Sequence, residues 1–446
     1  MTREPQASWH PAHSWVDPLI LLLLLLSLLA AGLTLRVRGQ NAQRPAEHVG
    51  LQGRMMEVAL AGPSLLGREA TAKEWARAES QLTEPWDRAL LTVLRAEQSA
   101  RKPGQAPNPE LRATPPGPAG ERFRHTFLAA YSGEPLPDRV ARDEVHRRLG
   151  RGYGADLLEA RLRDREGRGE ALRRQAQSAL KIRLAGLGLL GFLVLTLAAG
   201  GLALGVYLMA TLGKALPPPL PTWTLSGRAA AVVLLSWFLV FFLSGNAVGL
   251  VLAPWPALRW LAPALAYLLH ASFGLLLICR AEGISLAGLW QRVAPGRAGR
   301  ELAWGLAFLA LAVLLVIIAN LLSNLVLKPD QAPQRDLQDL VRGLSGWGPT
   351  LVLFLTVAVL APFFEELLFR GFLLPVLARH QRISLALTGS ALLFGAIHLQ
   401  PTGLATLSTL GLVMGLAMRH TGSLQAPILV HACWNGSLFL LMRAFA

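Results

Sequence analysis

Apolar residues run unbroken from Pro18 to Leu35, 18 positions that predict one helix at the short end of what crosses a hydrocarbon core of about 30 Å. Only Arg3 supplies basic charge ahead of this run and no small-x-small cleavage site follows it, so the run reads as an uncleaved anchor rather than a signal peptide. From Arg36 to Arg183 the pattern turns polar and amphipathic, with helix-like spacing over Trp86 to Arg95 and Val145 to Leu172. The stretch Pro103 to Gly120 is rich in Pro and Gly and predicts a flexible linker between two helical halves. Apolar runs then follow in series: Leu184 to Leu212, Ala229 to Leu252, Leu261 to Cys279, Trp304 to Leu327, Pro349 to Ala378, Ile383 to Leu399, Gly403 to Met418 and Leu424 to Met442. The expected fold is all-α, a polytopic transmembrane helical bundle. It has an N-terminal tail and anchor helix at 1–35, a water-exposed helical insert at 36–183, and a membrane domain of about eight core helices at 184–446.

Composition agrees with the membrane class: of 446 residues, 52% are hydrophobic and 16% charged, against about 25% charged in soluble proteins. The net charge of +15 would suggest nucleic acid as a partner of a soluble protein. Here the arginines flank apolar runs or sit in the insert, which carries 27 Lys and Arg against 19 Asp and Glu, so the expected partner is anionic lipid and not nucleic acid. If the spans alternate, one side of the bilayer collects Lys214, Arg228, Arg280, Arg292, Arg297, Arg300, Arg379, Arg382 and Arg419. The other collects Arg259, Lys328, Arg335, Arg342 and Arg443. The richer side is expected to be cytoplasmic, which sends the insert outside; domains of its length translocate largely regardless of their own charge. Cys279 and Cys433 both lie in apolar segments and imply neither a disulfide nor a metal knuckle.

Two patterns resemble chemistry but have simpler accounts. Gly186-Leu187-Gly188-Leu189-Leu190-Gly191 matches the dinucleotide fingerprint letter for letter, but it lies inside an apolar helix, where small residues for close helix packing are expected. Gly343-Leu344-Ser345-Gly346 resembles the serine motif of rhomboid-type proteases, yet it sits in a polar loop and reads as a turn before a helix. The insert offers no catalytic constellation and reads as a solvated helical spacer, with protein docking as its other use.

Beyond Asp339 the chain has 107 residues and two acids, the adjacent Glu365 and Glu366. A carboxylate within a bilayer costs a few kcal/mol even on lenient scales, so such residues are functional candidates. Glu366 and Arg370 stand four apart on one helical face and can neutralise each other. Glu365, rotated by about 100°, is left without that partner and is the better candidate to handle protons. His398 follows Phe394 by four residues and Asn435 follows His431 by four, so each pair shares a helical face. Counted at about 1.5 Å per residue from the basic connections, Glu365, His398 and His431 lie roughly 16 to 24 Å deep and are able to share one site.

Together EExxxR at Glu365, Glu366 and Arg370, FxxxH at Phe394 and His398, and HxxxN at His431 and Asn435 resemble the CPBP family, which includes Rce1-type CAAX endopeptidases and bacteriocin-immunity relatives. The motifs stand in the family's order over 349–442, and the resemblance does not reach the insert or the anchor. It implies an intramembrane endopeptidase of the glutamic type acting without cofactor or metal. Glu365 and His398 would activate water, His431 and Asn435 would hold the oxyanion, and Glu366 with Arg370 would fix the local charge. A zinc protease is the rival mechanism, disfavoured by the lack of HExxH spacing and by the arginine beside Glu366. A non-catalytic scaffold or immunity-type protein is the rival of another class. The expected substrate is a membrane-associated protein or peptide, CAAX-like or bearing a C-terminal sorting signal. The Ala, Gly, Arg and Leu bias suits the cell membrane of a GC-rich bacterium.

Overall fold

The computed structural model describes residues 16–42, 48–100, 111, 113–150, 152–164, 167–211, 218–296, 298–326, 335–344 and 346–445, and these form helices and their connections, without strands. In chain order the helices are α1 (Val16–Ala42), α2 (Leu51–Ala61), α3 (Ala72–Gln81), α4 (Pro85–Ala100), α5 (Gly117–Tyr131), α6 (Arg139–Leu149), α7 (Tyr153–Asp164) and α8 (Gly169–Thr211). There follow α9 (Gly227–Val251), α10 (Ala262–Glu282), α11 (Leu286–Val293), α12 (Ala298–Val326), α13 (Arg335–Gly343), α14 (Trp347–Leu355), α15 (Ala361–Glu366), α16 (Leu374–His380), α17 (Ile383–Ile397), α18 (Leu404–Thr421) and α19 (Gln425–Ala444). The described residues fall into two compact units. One is drawn from Met1–Asn41, Val194–Pro329 and Gly343–Leu441; the other is drawn from Ala42–Leu193, Asp330–Arg342 and Met442–Ala446. The expected boundaries at 35/36 and 183/184 each fall inside a continuous helix, α1 and α8.

The first unit is a polytopic helical bundle. Among the described residues seven segments are long and apolar enough to span: Asp17–Arg36, Gly169–Thr211, Gly227–Val251, Pro256–Glu282, Ala298–Val326, Trp347–His380 and Pro401–Thr421. Two of the expected spans are not among them. The apolar helix α17 has only 15 residues, and α19 carries Gln425, His431 and Asn435 along its 20. Within the bundle α9 lies against α10, and α18 against both α12 and α17, around a core that includes Phe308, Phe369, Phe372, Phe394, Val413 and Met414. The anchor α1 is tied to α9 by the ion pair of Asp17 with Arg228 (3.0 Å) and by Ser27, whose hydroxyl donates to the Leu235 carbonyl at 3.3 Å. The close-packing glycine of α8 is Gly201, where a Cβ would stand 2.3 Å from the Ala310 carbonyl oxygen on α12. Among the described residues nothing approaches within 4 Å of a Cβ at Gly186, Gly188 or Gly191, whereas close packing of this kind is found ten residues after Gly191. Ser345 of the serine-like motif lies outside the described residues, and Gly346 beside it takes φ 85° to start α14.

The second unit packs α2 to α7 around a ladder of rings, Trp86, Phe123, Phe127 and Tyr131, with successive centroids 6.0, 6.0 and 4.8 Å apart. The helix-like pattern expected from Val145 to Leu172 is broken by Gly150 (φ 68°) and Gly167 (φ 69°), which end one helix and precede the next. Half of the expected Pro103 to Gly120 linker, 103–110 and 112, lies outside the described residues, and its last four positions begin α5. Buried charges are satisfied locally. Glu97 accepts from the Tyr131 hydroxyl at 3.0 Å and from Arg161 at 2.7 Å, and Asp87 accepts the Gly50 N–H at 2.6 Å. Desolvation pushes the Asp87 carboxyl up to about 6, against the lowering effect of that N–H.

Candidate active site

The glutamates lie on a helical rod, Trp347–His380, that is not uniformly α-helical. Its α-helical pieces α14, α15 and α16 are joined by two π-helical stretches, Thr356–Leu360 and Leu367–Leu373. Pro362 explains the first. The Ala361 N–H bonds to the Thr356 carbonyl five residues back, so the next donor, due at position 362 for the Val357 carbonyl, is a proline nitrogen with no hydrogen. The orphaned Val357 carbonyl is satisfied from α19, where the Asn435 carboxamide donates to it at 3.0 Å. Pro375 likewise brings no N–H to the end of the second π-helical stretch, and the Gly371 carbonyl, four residues before it, accepts the Trp223 indole N–H at 2.9 Å.

Between the two π stretches, Glu366 and Arg370 form the ion pair that their spacing predicts, Nη1 to Oε1 at 2.7 Å, and both side chains are 0% exposed. Arg370 also donates through Nη2 to the Gly411 carbonyl on α18 at 2.9 Å, and its guanidinium lies 4.5 Å from the centre of the Phe394 ring. Glycine leaves room for that approach, since a Cβ at 411 would stand 3.2 Å from Nη2 of Arg370 and 3.2 Å from Cα of Ala391, and the neighbours would have to give by a few tenths of an ångström. The same Oε1 of Glu366 accepts a second bond, from Nδ1 of His431 at 2.8 Å. Glu366 is thus engaged by two cationic or donor side chains, one from its own rod and one from α19.

With Nδ1 of His431 committed to Glu366, Nε2 turns toward Glu365 and stands 3.9 Å from Oε2. Glu365 is 9% exposed, and its Oε2 has no hydrogen-bond partner among the described residues. Its Oε1 is held: the Tyr267 hydroxyl on α10 donates to it at 2.7 Å. Glu365, which has no ion pair with Arg370, thus has a partner that its own helix does not supply. An aromatic hydroxyl in an apolar helix needs an acceptor, and this carboxylate supplies it.

Phe394 is the hub that links the remaining motif residue. Its ring touches that of His398 (centroids 5.0 Å apart), that of His431 (5.6 Å) and that of Phe369 (5.3 Å). His398 caps the end of α17, half-buried, with Nδ1 donating to the Phe394 carbonyl at 2.7 Å. Leu399 follows in the left-handed region at φ 51°, a conformation that costs an L-residue roughly 1–2 kcal/mol and turns the chain away directly after the histidine. The structure therefore brings Glu365, Glu366, Arg370 and His431 into direct contact. It places His398 beside them through Phe394, and it anchors Asn435 to the rod backbone one helical turn beyond His431.

Tyr267 and His270 were not among the residues singled out from the sequence. The signal was available: two polar side chains three apart, on one face of the apolar run Leu261 to Cys279. Among the described residues no group of three or more His, Cys, Asp or Glu side chains is placed to hold a metal ion.

Residues 347–437, which contain all seven motif residues, match the family model Rce1-like, described as type II CAAX prenyl endopeptidase Rce1-like. No curated protein and no solved structure matches the chain. The match covers the rod, α17, α18 and most of α19, and leaves α1 to α13 outside it. The chain is thus an integral membrane helical bundle whose segment 347–437 matches the Rce1-like model of the CAAX-protease (CPBP) family of membrane proteases.

Proposed function

We propose that the protein is an intramembrane glutamic endopeptidase that hydrolyses peptide bonds of membrane-associated proteins with water activated at Glu365. The observation that carries this reading is the division of labour between adjacent carboxylates. Each carboxylate leaves its Oε2 without a hydrogen-bond partner among the described residues, but Glu366 is bonded through Oε1 to Arg370 and His431, whereas Glu365 is bonded to no cation and turns its Oε2 toward Nε2 of the same histidine at 3.9 Å. A water between Glu365, His398 and His431 gives its proton to Oε2 of Glu365 as its oxygen bonds to the scissile carbonyl carbon. The resulting oxyanion is met by donors from His431 and by the second N–H of the Asn435 carboxamide, whose first is fixed on Val357. His431 donates through Nε2 when both ring nitrogens carry hydrogen, a charge for which Glu366 is the counter-ion. Glu365 then returns its proton to the departing amine nitrogen as the C–N bond breaks, leaving a carboxylic acid and an amine, and transfer of the acid's proton to the amine gives a carboxylate and an ammonium group. CAAX-like C-termini or other C-terminal sorting signals are the substrate class that the family match favours.

The test compares the C-termini of membrane proteins in cells making the wild type with those making Glu365→Gln. The variant keeps the shape of the side chain and the bond from Tyr267 while removing the proton acceptor. Loss of specific cleavage by at least about 10²-fold with undiminished protein is expected. Asn435→Ala should lower cleavage by a factor of roughly 10²–10³. Identical C-termini in both strains, or chelator inhibition reversed by zinc, would overturn the reading.

A further inference from the structure

The catalytic apparatus read from the family match lies within 347–437, yet the shortest hydrogen bond to Glu365 comes from outside that segment. We propose that Tyr267 on α10 is a positioning residue of the site, whose hydroxyl holds one oxygen of Glu365 and so selects the other as the one that meets water. The inference rests on the endopeptidase reading of Glu365.

A glutamate carboxyl turns freely about its last torsion, which is broad and two-fold, so an untethered Glu365 would exchange its oxygens and its direction. The 2.7 Å bond from the Tyr267 hydroxyl lies in the range of charge-assisted O–H···O bonds and removes that freedom. Oε2 is left buried without a partner among the described residues, facing Nε2 of His431. Tyr267 is itself immobilised. Its ring packs edge-on against His270, 4.4 Å between centroids, and His270 is wedged between Trp237 (5.6 Å) and Phe241 (5.0 Å). The His270 ring is locked by the bond between its Nδ1 and the Ala266 carbonyl at 2.9 Å. It is 3% exposed, with Nε2 lacking a partner among the described residues. The chain from Trp237 through His270 to Tyr267 thus carries the order of the α9–α10 pair to the reacting carboxylate.

The experiment uses the full chain with Tyr267→Phe, which keeps the ring and its contacts and deletes only the hydroxyl. Membrane-protein C-termini are mapped in cells making the wild type, Glu365→Gln or Tyr267→Phe. A peptide spanning the mapped cut is then used to measure kcat and KM on the purified proteins. The expected result is a kcat lowered roughly ten- to hundredfold, the usual weight of a bond to a charged group, with KM and protein accumulation unchanged. If Glu365→Gln processes the same C-termini as the wild type, the endopeptidase reading falls and the inference with it. If Glu365→Gln is inactive while Tyr267→Phe keeps the wild-type kcat, the inference alone is overturned. A Tyr267→Phe variant that loses activity only in proportion to lost protein, or through KM alone, overturns it as well by showing a structural or binding role.

Discussion

Arg370 is the largest fully buried side chain of the described protein, and its removal tests the electrostatic design of the site most directly. Replacing it with alanine deletes the 2.7 Å bond to Glu366, the 2.9 Å bond to the Gly411 carbonyl and the guanidinium 4.5 Å from the Phe394 ring. Glu366, 0% exposed, is then left with only the imidazole of His431 to offset its charge. Breaking one partner of a buried pair destabilises by about 3 to 5 kcal/mol, which lowers the ratio of folded to unfolded protein by two to three and a half orders of magnitude. The expected outcome for Arg370→Ala is a strong fall in the amount of protein accumulating in membranes and in its melting temperature in detergent. A second variant separates charge from packing. Glu366→Gln combined with Arg370→Met removes both charges at similar volume, and such exchanges are often neutral. The double variant should therefore recover most of the stability that Arg370→Ala loses while remaining impaired in cleavage, since His431 loses its counter-ion. Wild-type accumulation and melting of Arg370→Ala would refute the reasoning. A double variant as unstable as the single one would assign the effect to the Gly411 and Phe394 contacts instead of to charge.

Asp87 makes the second unit pH-sensitive: burial pushes its carboxyl up to about 6 from the ordinary 3.8, so the folded form binds more protons between the two. Stability is fully present below about pH 4 and falls as pH rises through 6, by on the order of 3 kcal/mol; hydrogen exchange of the α4 amides should show that slope, and Asp87→Asn should flatten it. Gly201→Val should disrupt the α8–α12 contact, because a Cβ there would stand 2.3 Å from the Ala310 carbonyl oxygen, and lower yields in detergent report it. Cysteines placed along 48–100 should be labelled by a membrane-impermeant reagent from outside intact cells, while those at 292–296 and 379–382 should be protected; protection of every position in the insert would reverse the orientation expected from the basic residues.

Much of the architecture was legible because bilayer solvation is a severe constraint: apolar runs of adequate length have few fates. The Glu366–Arg370 pair was legible for a related reason, since two opposite charges four residues apart in an apolar helix have one inexpensive arrangement. What escaped the sequence depends on partners distant along the chain. Nothing local to Glu365 announces Tyr267, 98 residues earlier, and nothing local to His431 says that its Nδ1 would choose Glu366. The break at Gly150 escaped for the opposite reason. Its helix-like flanks outweighed one glycine in the pattern, whereas the positive φ that it adopts decides the geometry.

The prolines of the rod show how a site of this kind is built into a membrane helix. A regular α-helix satisfies every backbone carbonyl internally and offers nothing for a neighbouring helix to hold. Pro362, three residues before Glu365, and Pro375, five after Arg370, each withdraw one donor, and each withdrawal falls beside a π-helical stretch. The freed Val357 carbonyl fixes Asn435, and with it the face of α19 that carries His431; the Gly371 carbonyl fixes Trp223. In lipid an unsatisfied carbonyl costs several kcal/mol, so these two bonds are enforced rather than optional, and the geometry around Glu365 inherits that enforcement. The sequence separation between the prolines and the glutamates is therefore part of the design of the candidate site, because it sets which helices are drawn onto the rod and at what height they meet it.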